Sequence, residues 1–169
     1  MKPKWWNKGK THLYKRDKVM RKLLSVYKGH LTTRNNFFYS LTRSIISQQI
    51  SVSAADSVFL KFEKKCKGKI NPKIVSQLTV ANLRRCGLSR MKALGIKSLA
   101  NKILDKSFNP NLIKKMSDED AINYLSSLRQ IGRWSSEMVL IFFYNRPNIW
   151  PVQDIGLLRS ISNNYKKKY

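Results

Sequence analysis

Cysteine is scarce: there are two in 169 residues, Cys66 and Cys86. Two cannot build a disulfide scaffold, a four-cysteine zinc site or a four-cysteine iron–sulfur cluster. With two histidines beside them, no metal centre is expected. The thiols read as small core residues, and His12 and His30 fall in no motif. Long apolar runs are also missing. The longest, Met138 to Tyr144, is far short of the roughly 20 residues that span a bilayer. The opening MKPKWWNKGK lacks the apolar centre of a signal peptide. These absences predict no membrane partner and an intracellular place, in the cytoplasm or nucleoid, or in the nucleus of a eukaryote. Acidic residues are few as well, 9 against 34 Lys and Arg, which leaves a net charge of +25.

What is present fits a folded domain. Hydrophobic residues make up 42% of the chain, enough for a packed core in one domain or two small lobes sharing one. A charge excess of this size opposes compaction unless a polyanion is near. AT-rich coding is an alternative source of much of it, but affinity for phosphate depends on the charge and not on its origin. Nucleic acid is therefore the first partner expected.

Periodicity predicts an all-α chain. Residues 1–16 mix Lys with Trp5, Trp6 and Tyr14 and read as an irregular basic and aromatic arm. From Asp17 the spacing turns helical, with Val19, Leu23, Leu24 and Tyr27 on one face and Gly29 as the stop. Phe37, Phe38, Leu41, Ile45 and Ile46 mark the next helix. Ser53 is the expected cap of a third, Asn71-Pro72 and Thr79 start two short ones, and Ser89 starts one through Leu104. Ser117-Asp118-Glu119-Asp120 looks like a capping box for a helix to about Arg129. A break at Gln130-Ile131-Gly132 precedes an apolar helix from Arg133 to Tyr144, and Asp154 opens a last helix. No period-2 strand stands out.

The stretch LSSLRQIGRWSSEMVLIFFYNRPNIWPVQD, residues 125–154, carries the chemistry. A helix that starts after a tight glycine turn presents bare backbone N–H groups and the positive end of its dipole, which suit a phosphate and read no sequence. An ordinary helical hairpin gives the same local pattern. Asp154 at a helix start is a common N-cap. It also puts a carboxylate where it can stabilise a developing sugar cation or orient a water. Phe37, Phe38 and Tyr39 read as core first and as base-pocket residues second.

The combination resembles the helix-hairpin-helix DNA glycosylase superfamily, and within it the alkylpurine branch, the DNA-3-methyladenine glycosylase II family. Ile131-Gly132-Arg133-Trp134 with Ser135-Ser136-Glu137-Met138 is similar to the family's hairpin. Residues 146–157, RPNIWPVQDIGL, are similar to its catalytic loop. Ile45 to Val52, IISQQISV, and Gly87 to Ala93, GLSRMKA, are similar to two further segments, in the family's order.

The resemblance implies a two-lobed helical fold, in the short form without an N-terminal β-domain. It divides the chain into the arm, a glycosylase domain at 17–165 with its hairpin at about 120–145, and a Lys-rich tail at 166–169. It implies a monomer that acts on damaged double-stranded DNA. Such an enzyme flips out alkylated purines such as N3-methyladenine or N7-methylguanine and hydrolyses the N-glycosidic bond to an abasic site in base excision repair. Asp154 falls on the essential aspartate. Trp134 falls where bifunctional relatives carry a lysine that forms a Schiff base, so no lyase step is implied; its indole face would stack on a cationic base. Gln49, with Gln48, falls where relatives insert a side chain into the duplex. Gln130, Ile131, Gly132 and Arg133 fall on the phosphate-binding turn. No cofactor is implied beyond a structural monovalent cation at the hairpin. The alternatives are another damaged-base specificity on the same scaffold, or a non-catalytic DNA-binding module.

Two features depart from the pattern. Gln130 stands where the family often has glycine, and a side chain there costs strain if the backbone needs positive φ. The sequence also ends about fifteen residues after Asp154, where relatives continue with another helix, so the form is either naturally shortened or missing its C-terminus. The reading demands that the Asp154 carboxylate lie at the mouth of a cleft, with room for a base between it and the Trp134 indole.

Overall fold

The computed structural model describes residues 2–32 and 34–168. Among the described residues every regular element is helical: α1 (Trp6–Arg16), α2 (Lys18–Val26), α3 (Phe37–Ser47), α4 (Val52–Lys65), α5 (Pro72–Gln77), α6 (Val80–Arg85), α7 (Arg90–Leu104), α8 (Asp118–Ser126), α9 (Arg133–Phe142) and α10 (Ile155–Tyr165), with a 3₁₀ turn at Leu112–Lys115. None of these helices is long and apolar enough to cross a membrane.

Side chains at the caps decide where most helices begin. Asp17, Asn36, Asn71, Thr79, Ser89, Ser117 and Asp154 each accept a hydrogen bond from the backbone amide three residues on. Each removes one of the orphan amides of a first turn. For α4 the cap is Ser51, which takes the Ala54 amide, and not Ser53. The helix thus starts a residue or two earlier than the apolar spacing suggests. At α8 the Ser117 hydroxyl accepts the Asp120 amide and donates to the Asp120 carboxylate at 2.7 Å. That helix stops at Ser126, short of Arg129.

The arm at residues 1–16 is a correction. Trp6–Arg16 is a helix, although it buries none of its residues. It is held from both ends. Trp5 Nε1 donates to the Asn145 carbonyl at 2.7 Å, and Arg21 reaches back to the carbonyls of Tyr14 and Lys15 at the helix's C-terminal end.

The core is assembled around α7, which packs against α3, α5 and α6; α3 also meets α4 and α9, and α9 meets α8. Leu41, Ile45, Phe62, Val75, Leu83, Ile96, Leu125 and Leu140 are wholly enclosed. Phe37 and Phe38 belong to this core, and Tyr39 packs edge-on against Phe59, so the core reading of these three holds. Cys66 and Cys86 are buried free thiols, and burial pushes Cys66 up to about 11. Two lysines of α7 serve as caps for other helices. Lys92 Nζ donates to the carbonyls of Ile46 and Gln48 at the end of α3, and Lys97 Nζ to those of Ser76 and Leu78 at the end of α5. Cations at helix C-termini oppose the negative end of the dipole.

Candidate functional site

α8 and α9 form a helical hairpin whose turn is locked from several sides. Ser136 is fully buried. Its hydroxyl donates to the Gly132 carbonyl at 3.0 Å and sits 3.1 Å from that of Ser126. Gln130 takes φ 67°, the left-handed region that suits glycine, so the strain anticipated for this side chain is present. The turn lies hard against α7. A Cβ added to Gly95 would stand 2.8 Å from Gln130 Cγ and 3.1 Å from the Arg129 carbonyl oxygen. Gly95 was not singled out from sequence, yet a glycine inside a 15-residue helix, where it is intrinsically unfavourable, is the signal of such a close approach.

Gly132 has φ −100° and ψ −176°, extended backbone that any residue adopts, and open space where a Cβ would be. The conformational demand of the turn therefore falls on Gln130 and not on Gly132. What Gly132 provides is an N-cap without a side-chain bond, which leaves the first amides of α9 uncovered for an anion. Ile131 is buried and anchors the turn. The Arg133 side chain is committed elsewhere: Nη1 and Nη2 donate to the two Glu119 oxygens at 3.0 and 2.6 Å, and Nε to Glu137 Oε1 at 3.1 Å. Those carboxylates hold the guanidinium away from the turn, where Arg133 presents its backbone amide.

Gln48 and Gln49 part ways. Gln48 Nε2 donates to the Gln130 carbonyl at 2.7 Å and to Ser135 Oγ at 3.0 Å. It is a brace between the end of α3 and the hairpin turn, and the expectation that it enters the duplex is corrected. Gln49 is exposed, at φ 56° on the tip of the loop joining α3 to α4. A groove of about 630 Å³ runs past Gln49, Met91, Gly132, Trp134 and Gln153. It places the candidate wedge, the bare helix start and the residue before Asp154 along one channel. Gln153, exposed in this groove, was not anticipated from sequence.

Asp154 is half-buried at the start of α10. Its Oδ1 accepts the Leu157 amide at 2.8 Å, and its Oδ2 accepts Nε1–H of Trp134 at 2.9 Å. Gly156 makes room for this arrangement, since a Cβ there would lie 3.1 Å from Oδ1. The loop before Asp154 is pinned by Arg146, which donates to Asp118 Oδ1 at 2.6 Å and to the carbonyls of Ile113 and Met116 at 2.6 and 2.9 Å. The far end of α10 is tied by Tyr165, whose hydroxyl donates to Asp17 Oδ2 at 2.7 Å.

The direct bond between indole and carboxylate overturns the arrangement demanded from sequence: no base fits between them, so a glycosylase reading stands only with the base seated elsewhere. The half-buried indole also borders a separate cavity of about 270 Å³, walled by Met138, Phe142 and Phe143 from α9 and its end and by Ser40, Ser44 and Ser47 of α3. A stacking role for Trp134 therefore points into that cavity.

Comparison with known proteins follows the same lines. Residues 42–168 match the family model described as "HhH-GPD superfamily base excision DNA repair protein". DNA-3-methyladenine glycosylase 1 of Schizosaccharomyces pombe is 28% identical over 166 residues, 94% of this chain and 71% of that protein. The alkylbase DNA glycosidase-like protein mag2 of the same organism is 32% identical over 124 residues, 71% of this chain. This chain spans only 58% of the length of mag2. The solved structure of S. pombe 3-methyladenine DNA glycosylase (Mag1) in complex with abasic DNA superposes with a TM-score of 0.80 at 26% identity. It covers 94% of this chain and 81% of that one.

Proposed function

Because this chain belongs to the HhH-GPD superfamily of base excision DNA repair proteins, we propose that it is a monofunctional DNA glycosylase that removes alkylated purines from double-stranded DNA. The observation that carries the reading is the setting of Asp154. Its carboxylate stands half-exposed at a helix start, oriented by the Leu157 amide and the Trp134 indole, a few residues from the groove that joins Gln49 to the hairpin.

In this reading the bare amides at the start of α9 hold a phosphate of the lesion strand. Gln49 enters the stack where the damaged nucleotide has left it, and its amide bonds to the orphaned partner base. Extruding a nucleotide costs a few kcal/mol, least for a damaged one. The base enters the cavity beside Trp134 and stacks on aromatic faces. An N3- or N7-alkylated purine is already a good leaving group, so little acid catalysis is needed. As the glycosidic bond breaks, positive charge grows on the sugar, and the Asp154 carboxylate stabilises it. Water adds to the sugar carbon, its proton is released, and the free base and an abasic site result. Trp134 has no nucleophilic nitrogen to form a Schiff base, so the strand stays intact.

Among the described residues no three His, Cys, Asp or Glu side chains converge as a metal-ligand set. A structural monovalent cation at the hairpin would need backbone carbonyls free at the turn, where the Leu128 carbonyl already accepts the Ile131 amide and the Gln130 carbonyl accepts Gln48 Nε2.

The test is release of N3-methyladenine and N7-methylguanine from single-lesion duplexes. Asp154→Asn is expected to lower release by about 100-fold or more while leaving duplex binding intact, since Asn caps a helix as well as Asp does. A wild-type protein that binds duplex and releases no base from any lesion would be a binding module and not an enzyme.

A further inference from the structure

The cavity assigned above to the flipped base has an exposed cation in its wall. Arg34 lines it, with its Cζ 5.6 Å from the centre of the Phe142 ring. The Arg34 amide donates to the Phe142 carbonyl at 3.4 Å, so the loop before α3 rests on the end of α9. Among the described residues no Asp or Glu pairs with this guanidinium. Arg43 lines the same cavity but is answered differently. It forms an ion pair with Asp56 and lies over Phe59 at 4.5 Å. Asp154 does not line the cavity, and its two oxygens are engaged at the start of α10. The charge left uncompensated beside the base seat is therefore positive, and it sits on one of the aromatic faces.

A purine alkylated at N3 or N7 is itself a cation, held best by an open π-face with no like charge beside it. A neutral purine with a ring carbonyl asks for the opposite, a donor along its edge, and a guanidinium carries five. We propose that Arg34 is a specificity-determining residue of this site. Its guanidinium, over Phe142, narrows the margin by which the site prefers a cationic alkylpurine over a modified purine that enters neutral with a hydrogen-bond-accepting edge. The proposal rests on the glycosylase reading and on the assignment of the cavity to the base. Arg34 is exposed, so solvent screens its charge and the discrimination it exerts is moderate, about threefold to tenfold.

The experiment uses the intact chain and two duplexes identical except for the lesion, one with N7-methylguanine, a cation, and one with hypoxanthine, neutral with a carbonyl at C6. Single-turnover release is measured for wild type, Arg34→Gln and Arg34→Lys. Both duplexes lose the same phosphate attraction when the charge is removed, so the ratio of the two rates isolates the effect on the base. The ratio of cationic to neutral release is expected to rise about threefold to tenfold in Arg34→Gln and to stay near the wild-type value in Arg34→Lys, which keeps the charge. An unchanged or lowered ratio in Arg34→Gln overturns the proposal, as does an equal rise in Arg34→Lys. If only N7-methylguanine is released at a measurable rate, that rate must rise in Arg34→Gln at saturating enzyme, and a fall overturns the proposal. Release of neither base by wild type overturns this inference, while the glycosylase reading falls only if N3-methyladenine and every other lesion are also retained.

Discussion

Trp134 and Asp154 are joined directly, indole Nε1 to carboxylate Oδ2 at 2.9 Å across 20 residues of sequence. The donor belongs to the second residue of α9 and the acceptor to the cap of α10, so one bond registers the hairpin against the helix that carries the carboxylate. Trp134→Phe keeps a ring beside the cavity and removes the donor. Hydrogen bonds to charged groups contribute about 1.5–3 kcal/mol when enclosed, and less at a half-buried site that water can reach. Base release at saturating enzyme is expected to fall about tenfold, equivalent to ~1.4 kcal/mol, with duplex affinity unchanged. A loss confined to affinity would mean that the indole serves DNA binding and does not position Asp154.

Gly132 separates stability from binding. An aspartate there meets no steric obstacle, since the backbone is extended and open space surrounds the Cβ position. It would cap α9 and complement its dipole, adding a few tenths to ~1 kcal/mol. The same carboxylate would cover the amides proposed to hold a phosphate and would repel it. Gly132→Asp is therefore expected to unfold at equal or higher denaturant concentration and to bind duplex at least about tenfold more weakly at low salt. Unimpaired binding would remove the start of α9 from the interface.

Gly95→Ala tests the contact beneath the turn. Alanine gains about 0.5–1 kcal/mol of helix preference over glycine. Against this, its methyl group would meet Gln130 Cβ at 3.0 Å and the Arg129 carbonyl oxygen at 3.1 Å, and overpacking of backbone against backbone costs about 1–3 kcal/mol. The second effect wins. Equilibrium unfolding should show a net loss, and duplex binding should weaken with it, because the turn must move to make room. A stabilised variant would show that the turn yields freely.

The helices that could be read in advance are those whose start signal is local. Asn71, Thr79, Ser89, Ser117 and Asp154 cap their own next turn, and nothing distant is needed to see it. α1 lacked any such signal. It has no buried face, and its support comes from Asn145, far along the chain, and from Arg21. The site divides in the same way. Asp154 and the hairpin were legible because their spacing follows one continuous stretch. The roles of Gln48 and Arg133 were not, since a glutamine 82 residues from its acceptor and an arginine 14 residues from its carboxylate declare their partners only once the helices are packed. Arg34 carried no motif at all; only the closeness of its loop to the end of α9 brings it to the cavity.

Gln48 spans from the tip of α3 to the Gln130 carbonyl and Ser135, and Lys92 grips the same tip from α7. The Gln49 loop and the hairpin turn thus behave like the two jaws of a fixed caliper. If Gln49 enters a duplex as proposed, the depth it reaches between base pairs is set by where these bonds hold the backbone.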